Sequence, residues 1–145
     1  MIFKRVGRTS AETIFVVIQN VSGSTATAGY ALVFDVGASV DGVRVTQASS
    51  TDLQAFAGVA DSDISNNAYG LAQVYGYRSS VRIYASTGSS VSGDNLTVVV
   101  GGTHWGLTPA TSVGTSKAFG FLCEAITAST SSQFATTAKG FIRAL

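Results

Sequence analysis

The sequence predicts a single all-β domain, a β-barrel or β-sandwich of about nine or ten short strands. Three observations carry this. Runs of β-branched and aromatic residues recur at short spacing, separated by Gly, Ser, Asn and Asp. No stretch keeps a helical period between recognisable caps. One proline in 145 residues leaves the turns to glycine and Asx residues.

The elements follow in order. Residues 1–12 read as a short N-terminal arm and residues 13–145 as the domain, with no internal linker. Thr13 to Val21 is β-branched and stops at Ser22-Gly23-Ser24. Tyr30 to Val36 stops at Gly37. Asp41-Gly42, where both residues tolerate positive φ, is a hairpin signal ahead of the alternating Val43-Arg44-Val45. Phe56 to Ala60 leads into a polar loop holding Asp61, Asp63, Asn66 and Asn67. Tyr69 to Tyr77 sets Tyr69, Leu71, Gln73, Tyr75 and Tyr77 on one face and Gly70, Ala72, Val74 and Gly76 on the other. Small residues on that second face admit close approach of a backbone or ring. Beyond Ser79-Ser80, Val81 to Tyr84 alternates as a separate strand. Leu96 to Val100 is a continuous apolar strand, and residues 101–114 read as a loop. Lys117 to Thr127 and Lys139 to Leu145 read as the last strands, joined by an exposed loop over 129–137. No internal repeat of 20–50 residues is evident.

Composition narrows function. The chain is 46% hydrophobic but 12% charged, about half the usual charged fraction. A surface so poor in charge suits being covered, because charge is depleted at interface cores. No apolar run reaches the roughly 20 residues of a membrane-spanning helix. A net charge of +1 gives no general case for nucleic acid. Lys4, Arg5 and Arg8 make one local basic cluster, read either as a solvated end or as an arm for an acidic partner surface.

No catalytic constellation stands out, so the expectation is a non-enzyme without a cofactor. His104 is the only histidine, and no G-x-S-x-G elbow frames a serine. One His and one Cys cannot build a structural zinc site. The Asp61 to Asn67 loop offers hard oxygens but lacks the glycine and glutamate of an EF-hand; Asx side chains capping backbone groups account for it better. Gly101-Gly102 opens no phosphate loop. Cys123, the only cysteine, lies in an apolar run and reads as a buried structural thiol. No secretory signal pattern is read, so the sequons at Asn20 and Asn95 are taken as chance. The residues best suited to a partner surface are Tyr69, Tyr75, Tyr77, Arg78, Arg82 and Tyr84, since Tyr and Arg dominate interface hot spots.

Several segments together resemble tailed-phage capsid decoration (cement) proteins. They are Asp35 to Val43, Phe56 to Ile64, Asn67 to Tyr77 with its G-L-x-Q-V core, Val91 to Leu96, Phe121 to Ala125, and Gly140 to Arg143. The resemblance spans most of the chain from about residue 30. It implies a non-enzymatic all-β protein, a trimer, on the outer surface of an assembled head shell, with the major capsid protein and its own copies as partners and neither nucleic acid nor membrane. A glycan-binding virion module using Tyr75, Tyr77, Tyr84 and Trp105 remains the alternative.

Overall fold

The computed structural model describes residues 2–4, 12–37, 41–49, 53–85, 91–99, 105–108, 118–126 and 134–144. Its ten strands are β1 (Ile2–Lys4), β2 (Thr13–Asn20), β3 (Ala31–Phe34), β4 (Arg44–Thr46), β5 (Phe56–Ala60), β6 (Tyr69–Ala85), β7 (Asn95–Val98), β8 (Trp105–Thr108), β9 (Gly120–Leu122) and β10 (Phe134–Arg143). There is no helix among the described residues. The all-β expectation holds. Three boundaries differ. The runs flanking Ser79-Ser80 are one 17-residue strand, β6. The stretch read as a loop over 101–114 contains β8, and β10 begins inside the link read as a loop over 129–137. In each case cross-strand hydrogen bonding recruits a segment whose Gly- or Ser/Thr-rich composition alone argues for a loop.

The strands form one sheet that closes on itself twice. β2, β4, β3, β5 and the first half of β6 make one circuit; the second half of β6, β10, β9, β7 and β8 make the other. The two circuits have the same topology. In the first, β2–β4 is parallel while β3–β4, β3–β5, β5–β6 and β2–β6 are antiparallel. In the second, β6–β8 is parallel while β7–β8, β7–β9, β9–β10 and β6–β10 are antiparallel. Register follows suit: Val59 opposes Gln73 as Leu122, 63 residues later, opposes Gly140. The fold is thus a tandem pair sharing β6, its last strand in one unit and first in the next. The unit is longer than the 20–50 residues of ordinary solenoid repeats. It leaves only a trace in sequence: Ala55-Phe56 with Asp61 and Ile64, against Ala118-Phe119 with Glu124 and Ile126.

A five-strand circuit encloses little volume, and the core reflects that. The first is filled by Ile18, Leu32, Val45 and Ile64 with four alanines, Ala26, Ala57, Ala60 and Ala72. The second cluster joins Val81, Ile83, Leu96, Val98, Leu122, Ala138 and Ile142 to Ala31, Val33, Phe56 and Val59. Strand β5 is therefore buried throughout its length. Phe56 and Val59 face one cluster, Ala57 and Ala60 the other. That three-residue spacing breaks strict alternation, and Gly58 (φ 139) sits at the break.

Asn20 is fully buried, so its sequon is structural. Its Nδ2 donates to the carbonyls of Ser24 (2.7 Å) and Ile64 (2.8 Å), and its Oδ1 accepts from the Ser22 N–H (3.1 Å). Asn20→Ala leaves those groups unpaired and should cost roughly 2–3 kcal/mol in urea unfolding. The polar loop also serves the fold: Asp63 accepts from the Ala28 N–H and Asn66 from the Gly23 N–H. Asp41 accepts from the N–H groups of Val43 and Arg44, and these bonds hold its pKa below the ordinary 3.8. A depressed carboxyl pKa stabilises the fold above the unfolded value and stops doing so as pH falls through the folded one. Asp41→Asn should accordingly flatten the acid limb of the stability–pH curve below about pH 4.

Candidate functional site

β1 pairs antiparallel with β2, Ile2 opposite Phe15 and Lys4 opposite Thr13, so the start of the arm is tied to the sheet edge. Arg5 and Arg8 lie outside the described residues, as does His104. Cys123 is half-buried rather than fully buried. Burial, with the neighbouring Glu124 charge, pushes its thiol up, away from nucleophilic use.

The tyrosine-rich strand divides into parts with different tasks. Tyr69 is exposed (67%) at its start. Gly70 lies where a Cβ would run into Ile64, the close approach that the small face allows. Gln73 does not share the exposure of its tyrosine neighbours: it is 2% exposed and donates to the carbonyls of Gly76 and Tyr77, both 3.1 Å away. These carbonyls belong to the irregular segment where β6 changes circuit, and Gln73 satisfies them from within. Tyr84 opposes Ala135, and Trp105 opposes Ile83.

The two arginines of β6 are engaged inside the molecule. Arg78 uses all three guanidinium nitrogens: Nε donates to the Ser80 carbonyl (3.0 Å), one terminal nitrogen to Asp61 Oδ1 (3.2 Å) and Gln73 Oε1 (3.3 Å), and the other to the carbonyls of Ala60 (3.1 Å) and Asp61 (3.5 Å). It rivets the end of β5 to the crossover of β6. Arg82 lies over the Tyr30 ring at 5.0 Å and against Gly29. Both side chains thus brace the first circuit against the second half of β6.

The structure does assemble an aromatic band on β6, β10 and β9. Tyr77 opposes Phe141, and Phe141 opposes Phe121. Phe121 stacks on Phe141 (centroids 5.2 Å, 9° between planes), and Tyr75 meets Phe141 edge-on at 5.2 Å. All four rings are partly exposed, Tyr77 at 38%. Exposed Arg143 opposes Tyr75 at one end, and Lys139 pairs with Glu124 (3.2 Å) nearby. Sequence reasoning named Tyr75 and Tyr77 but not their phenylalanine partners. The signal was a triplet used twice, Gly120-Phe121-Leu122 and Gly140-Phe141-Ile142, in which Phe points outward between two buried residues. At Gly120 a Cβ would collide with the Phe141 carbonyl oxygen, so the glycine lets the two strands close up beneath the stacked rings.

The Glu124–Lys139 pair fixes a pH window. The Lys139 N–H and ammonium hold the Glu124 carboxyl below its ordinary 4.5, and Glu124 raises Lys139 above 10.5. The contribution is present between those values and lost beyond the shifted ones on either side.

Comparison with known proteins bears on the fold. The chain matches no protein-family model and no curated sequence. Among solved structures it is similar to the head fiber gp8.5 N base of bacteriophage phi29, with a TM-score of 0.52 and 18% identity over 90% of this chain and 96% of that one. The chain shares its fold with a phage head-fiber base. The likeness runs through both circuits, since nearly the whole of each chain takes part.

Proposed function

We propose that this chain is a structural protein of a tailed-phage head: a decoration (cement) protein that binds the outer surface of the assembled shell and stabilises it as a homotrimer, without catalysis. The observation that carries the reading is the near-complete overlap with a head-fiber base. The cement-like segments point the same way, and they lie mainly on β5, β6, β9 and β10, the strands that build the circuit junction and the aromatic band. A surface with 12% charged residues needs little desolvation on packing. Contacts repeated over a lattice add through multivalency when the protein is oligomeric.

The band Tyr75, Tyr77, Phe121 and Phe141, flanked by Arg143, is the face assigned to the shell or to a neighbouring copy, and the basic arm (Lys4, Arg5, Arg8) is a second contact. Adding purified protein to undecorated shells should give saturable, stoichiometric binding and a higher shell melting temperature, with a trimer by native mass spectrometry. The double variant Tyr75→Ala/Phe121→Ala should bind roughly 30-fold more weakly or worse, the size of one interface hot spot. Wild-type protein that neither binds nor stabilises shells removes the reading.

A further inference from the structure

We propose that the pocket beside the β6 crossover is a binding site for a neutral saccharide. The pocket has a volume of about 360 Å³ and is walled by Thr13, Phe15, Asp61, Tyr77, Ser79 and Ser80. Gln73 and Arg78 complete the lining. Its size falls within the range of about 300–1,000 Å³ found for small-ligand sites.

The chemistry of the lining selects the ligand class. Arg78 would suggest an anion, but its donors are already directed at Ser80, Asp61, Gln73 and Ala60. Asp61 would suggest a cation, but Arg78 lies 3.2 Å from it and compensates its charge. The lining is therefore electrically balanced, which removes the main drive for an ionic ligand. What remains is an acceptor, hydroxyls and rings. Asp61 is 44% exposed, and its Oδ2 has no protein hydrogen bond among the described residues. The hydroxyls of Thr13, Ser79 and Ser80 likewise make no side-chain hydrogen bond there, so they can both donate and accept. Tyr77 and Phe15 supply partly exposed aromatic surface. A pyranose matches this set: its polarised C–H face suits the negative face of a ring, and its hydroxyls suit a carboxylate oxygen and neighbouring hydroxyls. A purely apolar ligand would leave the Asp61 oxygen desolvated and unpaired.

The site shares Tyr77 with the aromatic band but does not depend on the shell-binding reading, and it is tested on the isolated full-length chain. Isotope-labelled protein is titrated with glucose, galactose, N-acetylglucosamine and maltose, and separately with sialic acid, arginine amide and adenosine. At least one neutral sugar should shift the amides of Thr13 and Tyr77 to Ser80 saturably, with millimolar affinity. Tyr77→Ala should weaken that binding about tenfold or more at temperatures where the variant remains folded. The proposal is overturned if no neutral sugar shifts these amides. It is equally overturned if sialic acid, arginine amide or adenosine shifts them and the neutral sugars do not, or if Tyr77→Ala binds sugar as the wild type does.

Discussion

Gly76→Ala is expected to destabilise the protein by about 4 kcal/mol, a large part of the roughly 5–15 kcal/mol that holds a domain folded. Two costs combine. Gly76 has φ 106, a conformation that L side chains rarely adopt. A Cβ there would also collide with the Glu12 carbonyl oxygen and press against Thr13, both backbone-anchored at the start of β2. The position matters because of what β6 does. Ala72 faces the first core, whereas Val81 and Ile83 face the second. The strand has to switch the side it presents, and the switch falls at Gly76 and the irregular pairing between Arg78 and Val81. Gly93→Ala is the control, with φ 98 but nothing within 4 Å of the added Cβ. That change should cost only about 1–2 kcal/mol. Equal losses for the two variants in urea unfolding would show that close approach contributes nothing at Gly76.

Arg78→Lys should cost about 3 kcal/mol although the charge is kept. A lysine ammonium can reach Asp61, but it cannot also serve the Ser80 and Ala60 carbonyls and Gln73 Oε1 from one planar fork. The Arg78 side chain is 14% exposed, so water replaces those bonds poorly. The same variant separates two roles. A rivet weakens the fold and leaves shell binding intact at temperatures where the variant remains folded. A hot-spot contact weakens shell binding under those same conditions. The geometry predicts the first result, with the loss read in the urea midpoint rather than in shell affinity.

These two residues show where sequence reasoning stops. The Tyr69 to Tyr77 alternation was legible, because side chains on a strand repeat every second residue. It separated Tyr69, Tyr75 and Tyr77 from Ala72 and Val74, and the structure leaves the three tyrosines at least partly exposed and buries the other two. It misplaced Gln73, because only the tertiary fold brings the carbonyls of Gly76 and Tyr77 within its reach. The internal contacts of Arg78 and Arg82 were not legible, because an arginine on a strand gives no sign of which internal acceptors will face it. Their acceptors, Asp61, Ala60 and the Tyr30 ring, come from other strands and loops. The aromatic band was half legible for the same reason: Tyr75 and Phe141 are 66 positions apart and meet only through the β6–β10 register.

By itself the sequence determined the all-β class, most strand positions, the structural use of the Asx loop and a surface poor in charge. Those properties depend on local propensity, short periodicity and composition, which any window of the chain displays. Only the tertiary structure decided that the strands close into two matching circuits, and that Gly76 turns the shared strand from one core to the other. It also decided which exposed rings join into a band. Each of those depends on pairing between segments dozens of residues apart, whose register no local pattern records.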